Sequence, residues 1–144
     1  ILFSSALELT ANNIIIMKNL IVDATRDKIF LTLIVSENIY TCTHENSKIN
    51  FEKLMILIND FFKVNSSTLD QIDIIYVNRG PGSFAGIRNS LATIKALFLT
   101  KKINYYCFSF EDFKGFKEVK YEEVPSLCEK FKIKKNLINP IYLS

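Results

Sequence analysis

Three of the four glycines and one of the three prolines in this chain fall in one run, Arg79-Gly80-Pro81-Gly82-Ser83-Phe84-Ala85-Gly86-Ile87-Arg88. An apolar stretch at 72–77 precedes it and reads as a buried strand. Residues 87–102 follow and read as a helix. Glycine permits positive φ and close backbone approach, and Pro81 fixes one φ and removes one donor. Such a turn is stiff and aims backbone N–H groups and a helix N-terminus in a set direction. The residue spacing limits what the turn can bind. No Lys-Ser or Lys-Thr pair follows, so the run is not a Walker A phosphate loop. Gly80, Gly82 and Ala85 match a loose G-x-G-x-x-A pattern, but a dinucleotide site also wants an acidic residue roughly 20 positions on. That neighbourhood is Thr100-Lys101-Lys102. Two readings stay open: a corner that lets a helix pack tightly on a sheet, or a binding element.

The remaining reactive residues are sparse. His44 is the only histidine and has no partner at metal-ligand spacing, so no metal site is expected. Beside Glu45 and Asn46 it reads as a solvated turn residue. A Ser or Cys nucleophile would need a base, and His44 would serve alone. Cys42, Cys107 and Cys128 are odd in number and widely spaced. They point to neither a disulfide framework nor a zinc site, and they suit a reduced, cytoplasmic setting. The net charge of +3 is too small to argue nucleic-acid binding by itself. No apolar run approaches the ~20 residues of a membrane span.

The elements that would position the turn follow from periodicity. Residues 18–24, 28–35 and 38–43 are strand-like and close enough to form an antiparallel meander. Residues 51–63 repeat helically, with Phe51, Leu54, Met55, Leu57, Ile58, Phe61 and Phe62 filling an arc of roughly 160°. That is wider than one core face needs, so a second apolar contact is expected, with a partner or with a neighbouring helix. In the helix after the turn, Ile87, Leu91, Ile94 and Phe98 form a core stripe. Asn89, Ala92, Thr93 and Ala96 share the opposite side. Small side chains there would let another helix approach closely; the alternative is a weakly polar surface. Residues 105–110 read as a last strand, 113–120 as a linker, and 121–134 as a helix with Leu127 and Phe131 inward. The basic end of that helix, Lys130, Lys132, Lys134 and Lys135, suits a C-terminus; the alternative is a weak contribution to nucleic-acid phosphate contacts.

The run from Gly80 to Leu97 resembles the G-P-G-S-F-T-G-[LV]-R-x-G-[LIV]-[AG]-x-A-K-[GA]-L signature of the TsaB (YeaZ) family. These are bacterial subunits of the complex that makes threonylcarbamoyladenosine beside the tRNA anticodon. Met17-Lys18-Asn19-Leu20-Ile21-Val22-Asp23-Ala24-Thr25 resembles the family's opening strand, and Pro140-Ile141-Tyr142-Leu143-Ser144 its closing segment. The chain departs from the pattern at Ala85 (usually Thr), Ser90 (often Gly) and Ser144 (Arg). At the start of the first long helix it has Asn50, where many relatives carry His.

The resemblance implies an α/β fold: a ribonuclease-H-like lobe of the actin-like ATPase superfamily, with a mixed five-stranded sheet ordered 3-2-1-4-5 and flanking helices. Most of the usual second lobe has no counterpart. The expected organisation is an extension over 1–16, non-native or disordered; a TsaB-like lobe over 17–112; a linker over 113–123 in place of the second lobe; and a C-terminal helix and tail over 124–144. The implied function is a non-catalytic partner subunit docking on a TsaD-type catalytic subunit, with a TsaE-like ATPase as a further partner. Contact with tRNA is indirect, no cofactor is needed, and a homodimer forms where the partner is absent. The partner-binding residues would be Gly82, Ser83, Phe84, Gly86, Asn89, Ala92, Thr93 and Ala96. Asp23 and Thr25 match in position the acidic end of the first strand that holds nucleotide in active members of the superfamily. The alternative function is a minimal ATPase or hydrolase.

Overall fold

The structure is a computed structural model and describes residues 17–142. The expected extension over 1–16, and Leu143 and Ser144 of the closing segment, lie outside the described residues. Five strands form one sheet in the order β3-β2-β1-β4-β5: β1 Lys18–Asp23, β2 Lys28–Val35, β3 Asn38–Glu45, β4 Ile74–Asn78 and β5 Asn104–Phe108. β1, β2 and β3 form the antiparallel meander, with Lys18 opposite Val35 and Lys28 opposite Glu45. β4 pairs parallel to β1, and β5 parallel to β4.

Alternation along the strands divides the apolar side chains between two cores, because successive residues face opposite sides of a sheet. On one face Leu20, Val22, Leu31, Ile75, Val77 and Cys107 meet three helices, α1 Lys48–Glu52, α2 Leu54–Val64 and α3 Phe84–Lys101. The wide apolar arc over 51–63 is used within the chain, since Phe51, Leu54, Ile58, Phe61 and Phe62 share this core with Ile87, Leu91 and Ile94 of α3. On the other face Ile21, Tyr76 and Phe108 meet Phe113 and a fourth helix, α4 Val124–Lys130.

Several boundaries differ from the sequence reading, each for a local reason. The helix expected over 51–63 is two helices. α1 starts earlier because the Ser47 hydroxyl accepts from Asn50 N, and the axis breaks at Lys53, where φ is −109° and ψ 24°. α3 begins at Phe84, three residues before the expected start, because Ser83 caps it by accepting from Gly86 N at 3.1 Å. Side-chain oxygens at this position satisfy N–H groups that have no helical partner. β3 runs through to Glu45, so His44 is a strand residue opposite Ile29 rather than part of a turn. The helix expected over 121–134 is shorter: a 3-10 turn at Tyr121–Glu123 leads into α4, which ends at Lys130. Lys132 takes a left-handed φ of 53°. Ile133 N then donates to Cys128 O and Lys132 N to Glu129 O, the reverse turn that commonly closes helices, here with lysine in the position usually held by glycine. The segment expected as a linker is anchored at both ends. Phe113 is buried in the second core, which contributes about 1.5–3 kcal/mol for a side chain of this size. Tyr121 reaches back to β1.

Candidate functional site

The glycine turn closes on the end of β1. Ser83 N donates to Thr25 O at 2.7 Å. A Cβ on Gly82 would collide with Thr25 O, and one on Gly86 with Ala24 O. Both glycines are therefore needed so that the turn and the first turn of α3 can lie against the backbone of residues 24–25. The partner of that close approach is this chain's own backbone. Gly86 is buried and does not reach the surface. Asn78, at the end of β4, ties the turn to the same point: its Oδ1 accepts from Gly80 N at 2.9 Å, and its Nδ2 donates to Asp23 Oδ2 at 3.0 Å.

Asp23 is completely buried, and its carboxylate is fully engaged. Oδ1 accepts from Thr25 N (2.9 Å) and Thr25 Oγ1 (2.7 Å). Oδ2 accepts from Asn78 Nδ2 and, at 2.6 Å, from the Tyr121 hydroxyl. Arg26 Nη2 lies 3.8 Å from Oδ2 and donates to the Tyr121 oxygen at 2.7 Å. A buried carboxylate is tolerable when its lone pairs meet donors in this way. Burial first, and the Asp23 charge second, push the Tyr121 hydroxyl well above its ordinary value, so Tyr121 stays a donor. Arg26 also lies over the Phe30 ring at 5.2 Å, and Phe30 and Phe110 flank the Tyr121 ring at 5.7 and 5.9 Å.

The residues that match a nucleotide site in position, Asp23 and Thr25, are thus brought together but bonded to one another and capped by Tyr121. A metal-bound nucleotide at Asp23 would have to displace Tyr121 and leave Oδ2 to the Asn78 amide. Among the described residues no group of three or more His, Cys, Asp or Glu side chains could hold a metal ion. Asn78, Arg26 and Tyr121 were missed in the sequence reading. Asn78 carried a signal, since asparagine at a strand end before glycine favours a side-chain turn. Tyr121 carried none, lying 98 positions from Asp23.

The other candidate residues lie on α3. Ala92 and Ala96 are exposed, Asn89 and Thr93 are half-buried, and Phe84 at the N-terminus is 57% exposed. Asn89 Nδ2 donates to Ala85 O at 2.8 Å, Thr93 Oγ1 to Asn89 O at 2.9 Å and Thr100 Oγ1 to Ala96 O at 2.7 Å. These polar side chains fold back on the preceding turn, so the side of α3 away from the core is flat and asks little of a partner in hydrogen bonds. Ser83 and Asn89 line a groove of about 700 Å³ between α1 and α3. Phe84 packs on Tyr142 at 4.7 Å. Ser90 stands where the family often has glycine; it is buried and donates to Ile87 O.

His44 Nε2 lies 3.8 Å from Cys42 Sγ on β3. Cys42, Cys107 and Cys128 are all free thiols. Burial pushes Cys107 up to about 11 and Cys128 up to about 12. Two thiols held protonated in a core are inert rather than nucleophilic.

Parallel β1, β4 and β5, an antiparallel β1-β2-β3 meander, and helices on both faces define a lobe of the actin-like ATPase, ribonuclease-H-like fold. Two solved structures share it: YeaZ from Pseudomonas aeruginosa, and one titled as an uncharacterized protein with similarity to peptidase YEAZ from the same organism. Each superposes with a TM-score of 0.60 at 18% identity over 65% of this chain, covering 44% and 43% of their own lengths. At the sequence level, a family model described as TsaD, tRNA N6-adenosine threonylcarbamoyltransferase, matches residues 44–109. The tRNA threonylcarbamoyladenosine biosynthesis protein TsaB of Buchnera aphidicola (subsp. Baizongia pistaciae) is 35% identical over 65 residues, 39% of this chain and 29% of that protein. The likeness to TsaB, to YeaZ and to the TsaD family model thus holds over part of the chain in each case. The matched region spans less than a third of that curated relative and under half of the solved structures.

Among the described residues no helix is long and apolar enough to cross a membrane.

Proposed function

We propose that this chain acts in tRNA threonylcarbamoyladenosine synthesis as a non-catalytic partner subunit. It docks on a TsaD-type catalytic subunit through the outer side of α3, in the cytoplasm, and needs no cofactor of its own. Its relation to tRNA runs through the complex, with a TsaE-like ATPase as a further partner, and it pairs with a second copy where the catalytic subunit is absent. The observation that carries this reading is the exposed small-residue side of α3, Ala92 and Ala96, with the polar side chains of Asn89 and Thr93 turned back on their own helix. Exposed helix surfaces ordinarily carry long charged residues. A flat side with its hydrogen bonds already made suits close helix packing. The alternative, a minimal ATPase or hydrolase, would need Asp23 free for nucleotide, and Tyr121 occupies it.

The test is calorimetric titration of the chain with a TsaD-type subunit from the same genome. Saturable binding is expected, and Ala96→Arg should weaken it. Overpacking at a tight contact costs about 1–3 kcal/mol, or roughly 5- to 150-fold in affinity. Circular dichroism of the variant should be unchanged. Equal affinity for Ala92→Arg, Ala96→Arg and the parent chain would exclude α3 as the docking surface.

A further inference from the structure

The charge of this chain is concentrated in one place. Lys114, Lys117, Lys120, Lys130, Lys132, Lys134 and Lys135 share a stretch with only Glu118, Glu122, Glu123 and Glu129. Residues 114–135 therefore carry the whole net charge of +3, and the remainder of the chain is balanced. The structure draws the two ends of this stretch together. Phe131 packs on Phe113 at 5.8 Å and on Phe116 at 5.9 Å, and Lys130 Nζ lies 5.2 Å from the Phe116 ring centroid. The loop bearing Lys114 and Lys117 thus lies against the C-terminus of α4. The left-handed turn at Lys132 keeps Lys130, Lys132, Lys134 and Lys135 within a few residues of it. All seven lysines are exposed. The ion pairs among the described residues are Arg26–Asp23, Arg79–Asp112 and Lys101–Asp70, and none of the seven takes part. Phe116, beside Lys130 and between Lys114 and Lys117 in the chain, is 42% exposed.

From this juxtaposition we infer that the end of α4 and the loop at 114–117 form a direct contact surface for the phosphate backbone of RNA. Exposed ammonium groups with no carboxylate partner bind phosphates and release the counterions condensed on them. A partly exposed aromatic ring among lysines offers an unpaired base a stacking face. An anionic membrane would draw the same charges, but this patch has one ring rather than an apolar face to insert. The surface lies on α4 and its flanking loop, whereas the proposed partner-binding residues lie on α3 across the sheet, so RNA and a protein partner could be held together. The inference departs from the proposed function in placing RNA directly on this chain, and rests on it only for the choice of tRNA as probe.

The test is fluorescence anisotropy of the intact chain with an unmodified tRNA transcript, repeated across a salt series. The four-site variant Lys130→Gln, Lys132→Gln, Lys134→Gln, Lys135→Gln should bind at least about tenfold more weakly, and its slope of log K against log salt should be shallower by about 3. Because four changes could disturb the turn after α4, the pair Lys114→Gln, Lys117→Gln is measured as well and should lower the slope by about 1–2. A control triple at exposed Lys48, Lys53 and Lys63 should bind as the parent does. Absence of saturable binding at low salt, equal losses in the control triple, or tighter binding to phosphatidylserine vesicles than to tRNA would each overturn the inference. Retention of calorimetric binding to the catalytic subunit by the four-site variant would leave the proposed function standing whatever the RNA result.

Discussion

Removing one oxygen, in Tyr121→Phe, tests whether the Asp23 cap holds the lobe closed. The change leaves the ring between Phe30 and Phe110 and deletes only the donor to Asp23 Oδ2. Hydrogen bonds to a charged group contribute about 1.5–3 kcal/mol; the hydroxyl is half-buried, so the lower half of that range is expected. At this chain length that is roughly 6–8 °C in Tm. The Arg26–Asp23 pair is different. Its distance is 3.8 Å and the arginine side chain is 58% exposed, so Arg26→Gln should cost less than about 1 kcal/mol. Alkaline pH gives a second readout. The Tyr121 hydroxyl is raised above its ordinary value by burial and then by Asp23. A raised acid keeps its proton longer in the folded state than in the unfolded one. Its contribution is therefore complete below about pH 10, the ordinary tyrosine value, and is lost as pH rises further. Tyr121→Phe should remove that part of the alkaline decline. Urea titration at pH 7 and 10.5 measures both effects. A loss below about 0.5 kcal/mol at pH 7, or an unchanged alkaline slope, would refute the assignment of Tyr121 as the cap.

Other expectations follow from the same contacts. Arg79 donates to Asp112 Oδ1 at 2.7 Å and to Asn139 O at 3.1 Å, with both charged side chains mostly buried. Asp112→Ala should therefore cost about 3 kcal/mol by denaturant titration, because it leaves the guanidinium without its counter-charge. The Tyr105 hydroxyl is buried with no partner among the described residues, so Tyr105→Phe should be neutral or stabilising by up to about 1 kcal/mol. Thiol titration of the native chain should label half-buried Cys42 first, and Cys107 and Cys128 only on unfolding. The isolated chain should not turn over ATP; a steady-state rate clearly above a buffer blank and lost in Asp23→Ala would contradict the proposed function.

The strand content and the meander were legible because the apolar and polar residues of β1 and β2 alternate between two buried faces. The sheet order came from the family signature, since short strands do not announce their neighbours. The starts of α1 and α3 each lie three residues ahead of the apolar repeats, because the cap signals are Ser47 and Ser83, each immediately before its helix. The break at Lys53 was not legible, because neither proline nor glycine marks it. The small-residue side of α3 was legible from spacing alone. The Asp23 site was half legible: Thr25 and Asn78 are local to strand ends, while Tyr121 arrives from the distant segment at 113–123. No periodicity links two side chains so far apart in the chain. The role of Gly82 and Gly86 lies in a tertiary contact that local sequence does not encode: the backbone of residues 24–25 fills the space a Cβ would take.

The most direct test of the proposed function is reconstitution. Unmodified tRNA is supplied with the remaining synthesis components and their substrates, including a TsaD-type subunit and a TsaE-like ATPase from the same genome, with and without this chain. Threonylcarbamoyladenosine is then measured by nucleoside mass spectrometry. The product should form only when this chain is present with the catalytic subunit, and Ala96→Arg should lower its yield about as much as it lowers binding. Equal yield with the chain omitted, or full yield from an Ala96→Arg chain that no longer binds the catalytic subunit, would contradict the account.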